Sequence, residues 1–212
     1  MDFWLDVTAM ALMVSTSWII AIRYILSGIK WLSFQSFMLS LLTAVLAIET
    51  GRTDLFVIAA ITLAVKAIAI PYILYRTLKA VGIDRQAEKS FGRDRLIIAV
   101  LAMWAIGYYV TPDLGLGSGH NLYLSISIGM LLSGVLIMIT HNKALMQGVG
   151  LIVIENSLFL AALSTSFGMP FLVDIGIFLD VLVVVVLIAA LSFRMDELLS
   201  SMSIEKLRRL KG

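Results

Sequence analysis

Apolar residues in this chain come in runs about as long as a lipid bilayer is thick. A helix crossing the hydrocarbon core needs about 20 mostly apolar residues. Runs of that kind lie near residues 3–22, 32–49, 55–75, 96–112, 121–140, 147–166 and 171–193. The fourth is the shortest. The breaks at 23–30, 49–54, 76–95, 111–119, 141–143 and 164–170 carry charges or turn residues. Of the 212 residues, 60% are hydrophobic and only 14% are charged, against roughly 25% charged in a soluble domain. A larger core does not explain the deficit, because a chain of this size still has a surface to cover. The solvent for most of that surface is expected to be lipid. The expected fold is an all-α, polytopic protein of the cell (inner) membrane, with about seven transmembrane helices.

The basic residues predict an orientation, because cytoplasmic loops retain Lys and Arg. One set of alternate loops holds Arg23, Lys30, Arg76, Lys79, Arg85, Lys89, Arg93, Arg95 and Lys143, and the tail adds Arg194, Lys206, Arg208, Arg209 and Lys211. The other set holds Arg52 alone. This split places the N-terminus outside and the C-terminus in the cytoplasm. Asp2 and Asp6 open the first run. A secretory signal carries positive charge there, so the run is expected to be a retained helix. In the tail, Leu198, Leu199, Met202, Leu207 and Leu210 alternate with charges at roughly helical spacing. That pattern suits an amphipathic helix on the membrane surface or against a partner, with a frayed helix end as the competing reading. The 76–95 stretch reads as a solvated basic connector.

Several chemistries are excluded. The chain has no cysteine and two histidines, so it carries no disulfide, thiolate metal site or cysteine-ligated cluster. The methionines are scattered, as packing residues are. No phosphate loop or nucleophile triad is present, and the glycine-rich stretch at 115–119 follows no strand and reads as an exposed loop. No cofactor and no nucleic-acid partner is expected for this chain.

Besides Asp6 and Glu49 at run ends, four charged residues fall inside the runs: Lys66, Glu155, Asp174 and Asp180. A charge near the bilayer centre costs roughly 2.5–3.5 kcal/mol even on the gentle insertion scale, and such residues are functional candidates by default. At a rise of about 1.5 Å per residue, Lys66, Glu155 and Asp180 lie roughly 16, 17 and 14 Å deep. Three titratable groups on three helices therefore share one plane near mid-membrane. Asp174 lies within the first turn of the last run, where a helix N-terminus favours an anion. A row at one depth suits moving a proton sideways, from one neighbour to the next. Lack of water disfavours the charged form of each group, which readies them to exchange protons. Asn156, Ser157, Thr140 and His141 are candidate supports that could hold water between them. His141, at a cytoplasmic helix end, reads as a surface residue or a proton gate. The competing reading of the row is a structural ion pair of Lys66 with Glu155 or Asp180. Pro71 is expected to kink its helix about a turn and a half from Lys66.

The stretch from Gly148 through Glu155, Asn156 and Ser157 to Leu160 resembles the glutamate-bearing helix of the K subunit of respiratory complex I. The following stretch, from Val173 through Asp174 and Asp180 to Leu182, resembles component E of hydrogenase-4, a longer relative with extra helices before a three-helix core. The C subunit of multisubunit sodium/proton antiporters is similar in outline. The resemblance is strongest over residues 120–194. It divides the chain into a four-helix segment (1–119), a three-helix core (120–194) and a cytoplasmic tail (195–212). By position, Glu155 matches the K subunit's glutamate, and Asp180 falls approximately where that subunit has a second one. Lys66 lies outside the matched region. The resemblance implies a non-redox membrane subunit of a large complex, such as a nickel–iron hydrogenase or formate hydrogenlyase. Its neighbours would be antiporter-like membrane subunits and a hydrogenase- or quinone-proximal one. The nickel–iron centre and iron–sulfur clusters would sit in partner subunits, and Glu155 and Asp180 would continue a polar axis through the membrane.

Overall fold

The computed structural model of the chain describes residues 2–22, 24–81, 93–111, 121–141 and 143–166, together with residue 176. The helices are α1 (Asp2–Ala21), α2 (Ile25–Thr50), α3 (Thr53–Thr62), a π-helical segment (Leu63–Ala69), α4 (Ile70–Val81), α5 (Arg93–Val110), α6 (Asn121–Thr140) and α7 (Ala144–Ser166). The first six apolar runs thus coincide with helices. Among the described residues, four helical stretches are long and apolar enough to cross a membrane: Ile25–Thr50, Thr53–Lys79, Leu122–Thr140 and Leu145–Thr165. The apolar helices Asp6–Ala21 and Leu96–Val110 are shorter. The seventh run and the tail lie outside the described residues.

One boundary differs from the sequence reading. Residues 23–30 were expected to interrupt the helices, but α2 begins at Ile25 and runs through Lys30. Ile25, Ile29 and Leu32 are buried in one core cluster, and that periodicity carries the helix past the lysine. Lys30 itself is exposed, and a lysine near a helix end can lay its stem along the protein while its head reaches water. At the other end of α2, Gly51 has φ 65°, the left-handed conformation that ends a helix at little cost for glycine. It turns the chain directly into α3. The Arg52 guanidinium there is hydrogen-bonded to Asp54, which raises its pKa above the ordinary arginine value.

The second membrane-length helix, Thr53–Lys79, answers Pro71 in an unexpected way. Its turns widen over Leu63–Ala69, and the Ile70 N–H donates to the Val65 carbonyl, five residues back. Pro71 has no N–H for the carbonyl four residues back, that of Ala67. Ser33 Oγ, from α2, donates to that carbonyl instead. The local defect is thus closed from a neighbouring helix, as backbone polar groups in lipid require.

The helices pack as α1 on α2 and α6, α2 on the α3–α4 helix and α7, and α6 on both α5 and α7. Between α6 and α7 the backbones nearly touch. A Cβ on Gly134 would lie 2.9 Å from the Gly150 carbonyl oxygen, and a Cβ on Gly150 would lie 2.9 Å from that of Gly134. Small residues permit such approach where lipid offers no hydrophobic drive for helices to associate.

The distribution of side chains decides what solvent this bundle suits. Trp4, Met10, Trp18, Ile98, Leu101, Tyr108 and Tyr109 are exposed, while Ser15, Thr16, Gln35, Ser36, Lys66, Ser133, Glu155 and Asn156 are buried. A water-soluble protein buries its large apolar side chains and seldom fully buries Lys or Glu. This architecture is that of a helical membrane protein.

Candidate functional site

Most of the largest buried polar side chains gather at one level. The apolar interior is split into two clusters, one holding Leu12, Leu39, Ile58, Met130 and Leu160, the other Ile19, Leu32, Ile70, Ile137 and Val153. On these helices one set of buried polar residues falls between members of the two, while Thr8, Ser40, Thr43, Ser127, Thr140, His141 and Ser164 are buried nearer the helix ends. Thr16 lies between Leu12 and Ile19, Gln35 and Ser36 between Leu32 and Leu39, and Lys66 between Ile58 and Ile70. Ser133 lies between Met130 and Ile137, and Glu155 and Asn156 between Val153 and Leu160. One polar layer therefore crosses the bundle between two apolar plugs.

Lys66 and Glu155 form its charged part. Lys66 is the middle residue of the Thr53–Lys79 span, and Glu155 is the middle residue of α7. Lys66 Nζ lies 3.0 Å from Glu155 Oε1, with the two side chains 4% and 5% exposed. Nζ also sits 5.3 Å from the centroid of the Phe159 ring, one turn along α7 from Glu155. At that distance a ring face attracts a cation. Lys66 comes from the π-helical segment, so the widened turns carry the side chain that meets α7.

The uncharged part continues from Asn156. Its Nδ2 donates to Gln35 Oε1 at 3.3 Å and to Ser36 Oγ at 3.2 Å. Gln35 Nε2 donates to Thr16 Oγ1 at 2.6 Å, and Thr16 donates to the Leu12 carbonyl at 2.7 Å. These bonds join α7, α2 and α1. Ser133 Oγ and Asn156 Oδ1 are buried and have no hydrogen-bond partner among the described residues, so the layer holds spare acceptor capacity. A buried polar group with no partner is costly.

Of the residues singled out in the sequence, the structure brings together Lys66 and Glu155, while the Asn156 amide turns to Gln35 and Ser36 instead. Asp174 and Asp180 lie outside the described residues. His141 is not at the surface, as one of its two readings expected. It is buried, with Nδ1 3.0 Å from the Ile137 carbonyl and Nε2 3.4 Å from that of Ile22. It tethers the ends of α6 and α1, and it stands eight residues from Ser133, about 12 Å along α6. Ser157 and Thr140 donate within their own helices, to the Ile154 and Leu136 carbonyls. The sequence reading missed Thr16, Gln35 and Ser36. The available signal was a glutamine beside a serine within the 32–49 run, the one carboxamide among its scattered hydroxyls.

Comparison with known proteins adds a relative but no chemistry. The uncharacterized protein Rv0085 of Mycobacterium tuberculosis is 24% identical over 213 residues, covering 97% of this chain and 95% of that one. The similarity thus extends over the N-terminal helices as well as over α6 and α7. No family model and no solved structure matches the chain.

Proposed function

We propose that this chain is a non-redox membrane subunit of a complex related to membrane-bound nickel–iron hydrogenases and formate hydrogenlyases. In it, Glu155 and Lys66 pass protons sideways at mid-membrane. The observation that carries the reading is the buried Lys66–Glu155 pair, 3.0 Å apart, on two central residues of membrane-length helices. A base and an acid in contact can exchange one proton and return to their starting states, and neither needs a cofactor to do so. The resemblance of residues 148–160 to a complex I K-type helix points the same way. Asp180 would extend the relay, and Asp174 would support the helix start. In this reading the protein has seven spans in the cell membrane, with its N-terminus outside. It docks between antiporter-like subunits and a hydrogenase- or quinone-proximal one, and the redox metal centres belong to its partners. A place in a multisubunit cation/proton antiporter uses the same chemistry without the redox arm.

The test is proton uptake by inside-out vesicles carrying the assembled complex, driven by hydrogen or formate and followed with a pH-sensitive dye. Glu155→Gln is expected to abolish uptake while the complex still assembles. Undiminished uptake in that variant defeats the relay. A second reading has its own support. The direct contact between Lys66 and Glu155, backed by the Phe159 ring, is also what a purely structural pair would make. That reading expects the doubly neutral Lys66→Met/Glu155→Gln protein to assemble and to support normal uptake.

A further inference from the structure

Resting on the relay reading, we propose that Gln35 is a positioning residue that, through Asn156, fixes the rotation of α7 and so aims Glu155 at Lys66. Adjacent residues on a helix point about 100° apart, given 3.6 residues per turn. Glu155 and Asn156 therefore face different neighbours, Lys66 on the π-helical segment and Gln35 with Ser36 on α2. Turning α7 about its axis to move one side chain moves the other with it. The Asn156 amide is held at two points on α2, and Gln35 is itself held by Thr16 on α1. Gln35, Asn156 and Thr16 are all fully buried, so no water phase competes for these bonds.

The chemistry separates positioning from relay. Every donor in the run points the same way, from Asn156 to Gln35, from Gln35 to Thr16, and from Thr16 to the Leu12 carbonyl. The run ends on a backbone oxygen in α1. Neither carboxamide has a titratable proton to give up and regain. The amides thus form a strut beside the pair, and the strut lies outside the path of the proton.

The experiment uses the same vesicle assay on the assembled complex. Gln35→Met keeps the volume and removes the hydrogen bonds. It is expected to slow uptake roughly 10–100-fold, the scale of a misplacement of about 1 Å, with normal assembly. Gln35→Glu keeps the shape, still accepts from Asn156 and, when protonated, donates to Thr16. It is expected to restore the rate to within a few-fold of wild type, which a space-filling role would not require. If Gln35→Met blocks assembly, Thr16→Val removes only the far acceptor and is expected to show a smaller slowing. Unchanged uptake in Gln35→Met or Thr16→Val, with Glu155→Gln inactive, overturns the strut and leaves the relay standing. Unchanged uptake in Glu155→Gln overturns the relay, and the strut's purpose with it.

Discussion

Lys66 and Glu155 make a measurable claim about stability that does not depend on what the parent complex does. Replacing either alone leaves its partner charged at the centre of the bundle. Removing one member of a buried pair costs about 3–5 kcal/mol in soluble proteins. An unpaired charge at the bilayer centre costs roughly 2.5–3.5 kcal/mol on the insertion scale. For Glu155→Gln, Lys66 keeps the Phe159 ring 5.3 Å away, and a desolvated cation–π contact recovers about 2 kcal/mol. Glu155→Gln should therefore lower stability by about 1–2 kcal/mol. Lys66→Met leaves the carboxylate with no such face and should lower it by about 3 kcal/mol. The double variant Lys66→Met/Glu155→Gln removes both charges and should lie within about 1 kcal/mol of wild type, since buried pairs rarely beat neutral replacements. The implied coupling is about 3–5 kcal/mol. Equilibrium unfolding in mixed detergent micelles, with rising sodium dodecyl sulfate, measures all four corners of the cycle. Additive single effects, with coupling below about 0.5 kcal/mol, would refute the claim that the two charges hold each other in place.

Three further outcomes follow from the packing. Gly150→Val puts a side chain where a Cβ already meets the Gly134 carbonyl at 2.9 Å. It should cost at least about 1–3 kcal/mol in the same unfolding assay, and a neutral result would show that α6 and α7 do not approach so closely. Ser33→Ala withdraws the donor from the Ala67 carbonyl and should cost about 1 kcal/mol. Adding Pro71→Ala, which returns an N–H to that carbonyl, should recover part of the loss, and a purely additive double variant would contradict this account of the π-helical segment. His141→Ala should loosen the ends of α1 and α6, lowering stability by about 1 kcal/mol, without touching proton uptake. A loss of uptake as deep as that of Glu155→Gln would instead make His141 a gate.

How much of this was legible in the sequence depended on which residues carry an unmistakable cost. Lys66 and Glu155 stood out because a charge at mid-depth is expensive wherever it faces. The sequence left open whether Lys66 meets Glu155 or Asp180, since depth says nothing about which helices are neighbours. Only the packing of α7 and the α3–α4 helix against α2 settles that Glu155 is in contact. Thr16 was silent for a different reason. A threonine in a membrane helix can satisfy itself on its own backbone, and Thr16 does donate to the Leu12 carbonyl. What makes it part of the layer is the Gln35 amide arriving from α2, which no local pattern announces. Pro71 was read as a kink, and the sequence did not show that wider turns ahead of it would absorb the defect, because the compensating donor, Ser33, comes from another helix.

The layered interior bears on the direction in which charge can move. A proton entering along the bundle axis from either end would have to pass one of the two apolar clusters, each filling about half of the ~30 Å hydrocarbon thickness. On α1, α2, α6 and α7 the buried residues flanking the layer are Leu12 and Ile19, Leu32 and Leu39, Met130 and Ile137, Val153 and Leu160. None of these side chains can accept a proton or orient a water molecule. Groups that can do so, among the described residues of the bundle's middle, lie side by side at one depth. The amide strut bounds that row toward α1. In the relay reading, a further group exchanging protons with the pair would approach along α7 or the π-helical segment, the two elements that carry Glu155 and Lys66. Crosslinking from a photoreactive residue at exposed Leu158 or Val65, three residues from Glu155 and one from Lys66, should capture the last apolar run of this chain or a partner subunit. Capture at Trp4 or Met10 on α1 alone would place the partner on the wrong face for a relay.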